Sequence, residues 1–386
     1  MQFGYCGNVH AGQTIEEVKR SLREHAVAVK AAVCPDEPLP FGLWLSNTSA
    51  SELTDGESVE QFRIWLNANG LLPFTLNGFP FGDFHQDVVK HSVYLPTWAD
   101  QIRLVHTRRL ADIQDALLPA GLPASISTLP LGWRGQRNSA DDVAFRFACA
   151  ENLRQMALHL AALVERTGRE TILCIEPEPG CVFDTCDDVT EFFQRYLLTG
   201  DNRDEDETIL RHIGVCHDIC HSAVMFEDQS YAMKTYRDAG IRVGKVQVSS
   251  AISVDFSNRS DEERALMMRQ LESFVEPRYL HQTSVRIGGE TTFYEDLPLA
   301  ILAANGNPMG EWRVHFHVPI FSETLGLIET SQNEIGNCLR AIKELGIECA
   351  HFEIETYAWN VLPSEWRTGS LAEGIAEELH WFADQQ

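Results

Sequence analysis

No stretch of about eighteen consecutive apolar residues occurs in this chain, so no membrane-spanning helix is expected. Cationic side chains are scarce: 31 lysines and arginines stand against 56 aspartates and glutamates, a net charge of −25. Phosphate backbones and anionic membranes repel such a surface, which disfavours nucleic-acid and membrane partners. Ten cysteines are present, yet none are spaced CxxC, which disfavours a zinc ribbon. The thiols are scattered, several inside apolar runs, and read as reduced and buried rather than as a disulfide framework. The N-terminal MQFGYCGNVHAG lacks the basic-then-apolar pattern of a signal peptide, and a soluble, cytoplasmic protein is expected. The first turn, CGNVHAGQT, lacks the GxGxxG of a dinucleotide fold, and no Walker pattern occurs.

What is there is enough for a large core: 386 residues, 44% of them hydrophobic, with no low-complexity linker. One domain spanning 1–386 is expected. Nine β-rich apolar runs alternate with helix-like segments. They lie at Phe3–Asn8, Phe41–Leu45, Pro73–Asn77, Ser125–Leu129, Thr171–Glu176, Ile213–Asp218, Arg242–Val248, Arg313–Val318 and Cys349–Glu355. Such alternation implies a parallel sheet with helices outside, and its repetition suggests a closed (β/α)₈ barrel. Nine runs are one too many, so an inserted βα unit is expected between Val248 and Arg313. A doubly wound open sheet is the alternative. Thr14 and Glu17 predict a capping box at the first helix. The acidic run Asp201–Glu207 reads as a solvated loop.

Chemistry collects where the apolar runs end. Glu176 and Glu178 lie in IEPEPG, Asp218 and His221 in CHDICH, His315 and His317 in HFHVPIF, and Glu353 and Glu355 in HFEIETY. In a barrel, active sites sit at the C-terminal ends of the strands. A buried carboxylate there needs a cation or several donors; a salt bridge to a neighbouring strand is the plainer explanation. Asp218 and His221, three apart, let one residue hold a metal while the other reaches a substrate. His317 and Glu355, nearer the mouth than His315 and Glu353, are the better placed of each pair. Cys216, Cys220 and His217 fall back toward packing. Carboxylates mixed with imidazoles suit Mn²⁺, Mg²⁺, Co²⁺ or Zn²⁺. Glu176 and Glu355 are the expected catalytic groups, moving a proton on and off carbon. In the early loops His10, Asn77 and His85 join His221 and Glu178 as expected contacts to a polyhydroxy metabolite.

At these residues the chain resembles the xylose-isomerase-like TIM-barrel superfamily of sugar isomerases, ketose epimerases and endonuclease IV. The resemblance implies a metal held by Glu176 on strand five, Asp218 with trailing His221 on strand six, and Glu355 on strand eight. Strand seven departs from the pattern. RVGKVQVSSA offers Gln247 where a histidine is usual, and HFHVPIF arrives one βα unit later with His317. Either residue, or both, supplies the third ligand. More narrowly, YCGNVHAGQT, FTLNGFPFGDFH, SISTLPLGW, CIEPEPG, HFHVPIF and ETYAWNVLP resemble the EboE family of bacterial metabolite-traffic proteins. The function implied is a metal-dependent isomerase or epimerase of a sugar or polyol. A non-catalytic metabolite-binding protein with a degenerate site is the alternative. A nuclease is disfavoured by the charge.

Overall fold

Short runs rich in Val, Ile, Leu and Phe are buried end to end at residues 171–175, 213–218 and 243–248, as parallel strands covered on both faces must be. The structure is a computed structural model and describes residues 2–135, 139–367 and 369–386. Seven strands enter a barrel in succession: β1 (Gln2–Cys6), β2 (Leu39–Trp44), β3 (Leu71–Asn77), β4 (Ala124–Thr128), β5 (Thr171–Ile175), β6 (Ile213–Asp218) and β7 (Val243–Val248). The chain then builds a separate antiparallel sheet from β8 (Ile252–Asp255), β9 (Thr283–Ile287), β10 (Glu290–Tyr294), β11 (Glu311–Val314), β12 (Thr324–Leu325) and β13 (Ile328–Thr330). The helix Asn333–Leu345 returns it to β14 (His351–Ile354), which pairs in parallel with β7 and β1 and closes the eight-stranded barrel.

An insertion therefore does enter after Val248, but it is larger than one βα unit. The run Arg313–Val318 is not a barrel strand. Its first two residues end β11, and residues 315–319 leave the sheet as a strap outside any strand, tied by the His315 amide to Gln282 O (2.8 Å) and the Val318 amide to Ser250 O (3.0 Å). Period-two alternation places side chains on a face, but it is the same in either sheet and cannot say to which the strand belongs. A second correction concerns the acidic run at 201–207. From Arg203 onward it forms the helix Arg203–His212, capped by Asn202, with Asp204, Glu205 and Asp206 in the first turn. Acidic groups there offset the positive end of the helix dipole, which is why a run that reads as loop folds. The capping box at Thr14 and Glu17 is present, and it starts the helix Ile15–Glu24.

Polar residues fill the barrel's interior. The Lys245 ammonium sits 2.7 Å from Glu353, and both are fully buried. Burial alone would push Lys245 down; the adjoining carboxylate outweighs it and holds the ammonium charged. Lys245 also donates to Ser127 Oγ (3.2 Å), and Ser125 Oγ bonds His351 Nδ1 (2.7 Å). Gly42 of β2 leaves room for this layer, since a Cβ there would lie 1.3 Å from Glu353 Oε1.

Candidate metal centre

Glu176 and Glu355 each stand one residue past a barrel strand and are still laddered to the neighbour. The Glu176 amide donates to Thr128 O (2.9 Å) and the Glu355 amide to Val248 O (3.0 Å). Asp218 ends β6 and caps the short helix Ile219–Val224, its Oδ1 accepting from the His221 amide (2.9 Å) and Ser249 Oγ (2.8 Å). These three carboxylates come from strands five, six and eight of the barrel. One oxygen of each lies within 4.8 Å of the others.

Like charges that close cannot all persist. Burial, then Glu355 and Asp218, push the Glu176 carboxyl well above its usual range. Burial, then Asp218 and Glu353, push Glu355 up to about 8. Burial also acts on Asp218, but His221, His317 and two hydrogen bonds outweigh it and hold it low. Asp218 is thus the ionised member of the trio, and the two glutamates keep their protons unless a cation neutralises the site.

His317 reaches this trio from the inserted strap. Its Nδ1 donates to the Glu355 carbonyl (2.7 Å), which leaves the lone pair on Nε2, 3.9 Å from Asp218 Oδ2. Burial first, and then His221, push its pKa down to about 4, so the ring is a neutral donor. Gln247 lies on β7 in register with both Asp218 and Glu353. Glu176 Oε2, Asp218 Oδ2, His317 Nε2 and both Gln247 amide atoms are buried with no hydrogen-bond partner among the described residues. Buried polar atoms are rarely left so, and an orphaned carboxylate is especially costly. Three carboxylates and an imidazole with free lone pairs fit a divalent cation.

The remaining expected residues are placed unequally. Glu178 Oε1 accepts from Tyr94 Oη (2.6 Å) and Gln282 Nε2 (2.9 Å). His221 Nδ1 donates to Pro177 O (2.9 Å), and its Nε2 stands 3.1 Å from His315 Nε2. Asn77 Nδ2 donates to Glu355 Oε1 (3.3 Å), as Asn8 Nδ2 does at 2.6 Å. Glu176, Glu178, His221, Glu355 and Asn77 line one cavity together with Asn8, Lys90, Tyr94, His315 and Tyr357. The cavity volume is about 60 Å³. His85 is a step removed and bonds the Asn8 carbonyl (2.8 Å). His10 does not line this cavity. It bonds Tyr5 Oη (2.9 Å) and stacks on His25.

No family model matches the chain, and no curated protein does. Among solved structures, a xylose isomerase-like TIM barrel protein from Mycobacterium smegmatis in complex with magnesium is 12% identical. The alignment covers 99% of this chain and 95% of that one, with a TM-score of 0.55. The fold is a xylose-isomerase-like TIM barrel. A D-tagatose 3-epimerase-like protein aligns at 11% identity over 100% of this chain and 97% of that one, TM-score 0.49. The IolI protein with a bound zinc atom aligns at 11% identity over 100% and 98%, also with a TM-score of 0.49.

Within this TIM barrel the inserted sheet supplies what sequence reasoning missed. Gln282 and Tyr279 enter the site from the segment before β9, and Ser249 follows β7. Gln282 and Tyr279 sit at no apolar run that the sequence marks as a strand, and Ser249, which directly follows the run Arg242–Val248, carries no charge to draw notice. The HQT at residues 281–283 lies in the region where the strand count had no place for it.

Proposed function

We propose that the chain is a divalent-metal-dependent isomerase or epimerase acting on a sugar, cyclitol or similar polyhydroxy metabolite. The observation that supports this best is the convergence of Glu176, Asp218 and Glu355, where Glu176 Oε2 and Asp218 Oδ2 lack partners and both glutamates line the cavity. Glu176, Asp218, Glu355 and His317 would hold the cation, with Gln247 beside them. A bound divalent ion supplies Lewis acidity toward a carbonyl or hydroxyl oxygen. The chain's own groups do the rest. Glu176 and Glu355, once ionised, are the bases for a proton on the carbon next to a carbonyl. One takes that proton and leaves an enediol; delivery of a proton by the other to the opposite face of the same carbon inverts it, and return to the neighbouring carbon, with the hydroxyl proton passing between the two oxygens, isomerises the sugar. Asn8 and Asn77 both donate to Glu355 Oε1 and so orient it. His221, Glu178 and Asn77 present donors and acceptors to hydroxyl groups, and Tyr357 gives the cavity an apolar wall. His85 supports the Asn8 loop through the Asn8 carbonyl, and His10, bonded to Tyr5 outside the cavity lining, is given no contact with the substrate. A place in bacterial metabolite traffic, suggested by the EboE-like motifs, would supply such a substrate.

The test is exchange of carbon-bound hydrogen from D2O into ketopentoses, ketohexoses and cyclitol ketones, followed by NMR with Mn²⁺-, Mg²⁺-, Co²⁺- or Zn²⁺-loaded protein. Exchange by the wild type is expected, falling at least ~100-fold in Glu176→Gln and in Glu355→Gln. Exchange untouched in both variants would sink the proposal. The second reading, a metabolite-binding protein, is favoured by Gln247 where a ligating imidazole is usual. It predicts a ligand that raises the melting temperature and never exchanges.

A further inference from the structure

We infer that a groove among the outer helices docks an amphipathic helix of another protein, one whose apolar stripe is flanked on both sides by glutamate or aspartate. The groove lies away from the strand-end cavity and does not depend on the proposed reaction. It is bordered by the loop at residues 53–55, the helices Gly56–Ala68 and Gln101–Leu117, and His159 of the helix Ser139–Thr167.

Shape sets the length of the occupant. Positions 105, 108, 109, 112, 113 and 116 of the helix Gln101–Leu117 all line the groove, and that spacing makes one helix face. The face rises roughly 16 Å, so three turns of a second helix would lie along it. The groove measures about 650 Å³, against about 60 Å³ at the strand ends. Leu53, Val59, Ile113 and Ala116 give it apolar surface. Val105, also in the lining, is half exposed, as is Ile102 one turn before it. Apolar surface held in water this way is what a helix with anchors at i, i+3, i+4 and i+7 covers.

Charge sets its chemistry. The chain carries a net −25, yet the uncommitted charge in the groove is positive. All three carboxylates of the lining are engaged. Asp55 Oδ1 accepts from the Ser58 amide (2.7 Å), and Glu60 holds Arg63 with both oxygens (2.7 and 2.5 Å). Asp112 faces Arg166 and His159, each at 3.2 Å. The two arginines of the lining meet only neutral oxygens among the described residues. Arg108 Nη2 donates to the Gln155 carbonyl (3.0 Å), and its Nε is buried without a partner. Arg109 Nη1 donates to Ser51 Oγ (2.7 Å) and Asn47 Oδ1 (3.3 Å). Gln155 and Asn47 stand on different helices, so the guanidiniums reach apart, and acids on both flanks of one apolar stripe would meet one each. A second copy fits poorly. Two-fold pairing of the groove would set Arg108 and Arg109 against their own images. An acidic helix elsewhere on the chain would join copies head to tail, which closes only at special rotations.

A displayed library tests this without a known partner. The full chain, fluorescently labelled, is panned against helices of about 18 residues with leucines at i, i+3, i+4 and i+7. The positions flanking that stripe are free to be glutamate, glutamine or lysine. Enriched clones are expected to carry glutamate on both flanks. They should bind the double variant Arg108→Glu, Arg109→Glu at least ~10-fold more weakly than the wild type, since arginines commonly anchor such contacts. Val105→Asp should weaken the same clones at least ~10-fold, and its half-exposed position serves where the double reversal fails to fold. No enrichment, enrichment of lysine-bearing clones, or undiminished binding to either folded variant overturns the inference. Wild-type dimers in sedimentation that Val105→Asp splits would give the groove to a second copy and overturn it as well.

Discussion

Asp218 does three jobs with two oxygens. One oxygen caps a helix and takes the Ser249 hydroxyl; the other is left bare toward His317 and His221. Because it stays ionised, its neighbours bear the electrostatic cost. Glu355 is the clearest case, with burial and then Asp218 and Glu353 raising it from 4.5 to about 8. The sign of the consequence follows from proton counts. Between about pH 4.5 and about 8 the folded metal-free protein holds a proton on Glu355 that the unfolded chain has released, so stability falls as pH rises. At about 1.4 kcal/mol per unit, this one group contributes on the order of 5 kcal/mol across the window. Urea denaturation of chelator-treated protein at pH 5 and pH 8 should show that loss, and Glu355→Gln should remove most of it. An unchanged slope in the variant would mean that the carboxyl titrates normally. Added divalent ion should reverse the trend, because it binds the deprotonated site.

The last helix shows how one element can secure three others. Glu378, on the helix Leu371–Ala383, is fully buried. It accepts from the Ile320 amide at the end of the strap (3.1 Å), from Thr356 Oγ1 (2.5 Å) and from Trp359 Nε1 (3.2 Å). Glu378→Ala would strand three buried donors and should cost at least ~3 kcal/mol in a denaturant titration, with Glu378→Gln costing less because one acceptor remains. Equal stability in all three proteins would show that water replaces the carboxylate. Elements of this kind mark the limit of what the sequence discloses. The barrel strands were legible because full burial makes each a continuous apolar run between glycine, proline and polar turns. Glu176, Asp218 and Glu355 were legible because a charge at the end of such a run is conspicuous. The inserted sheet was not, since its strands are short, two to five residues, and alternate with exposed positions. His315 and His317 were visible as a pair, yet their route to the site was not, because the strap that carries them pairs with no strand. The bonds that orient His221 and Glu178 come from a proline carbonyl and from Gln282, contacts no spacing rule encodes.

On the scale of the whole molecule the barrel and its insertion divide the site between them. The barrel contributes the carboxylates, and the insertion contributes both imidazoles of the strap and Gln282. No helix among the described residues is long and apolar enough to cross a membrane. The insertion begins and ends at one point: the Ala251 amide donates to Ser331 Oγ (2.8 Å), and the Ser331 amide donates to Ala251 O (2.9 Å). Its removal therefore need not stretch the chain, and β7 and β14 pair directly without it. Replacing residues 252–330 with Gly-Gly should leave a barrel that melts cooperatively, though at lower temperature, because Tyr279 no longer covers Tyr357 and Glu378 loses the Ile320 amide. Losing His317 removes the strap's proposed ligand to the carboxylate centre, and a missing ligand typically weakens binding by more than the 10–100-fold attributed to the partners behind ligands. Calorimetric titration with Mn²⁺ should thus show at least ~100-fold weaker binding in the shortened chain. Binding of undiminished strength would assign the third ligand to Gln247, which stays on β7 in register with Asp218. Failure to fold would instead make the inserted sheet part of the barrel's own stability. The experiment thus separates an insertion that completes a site from one that holds up the fold.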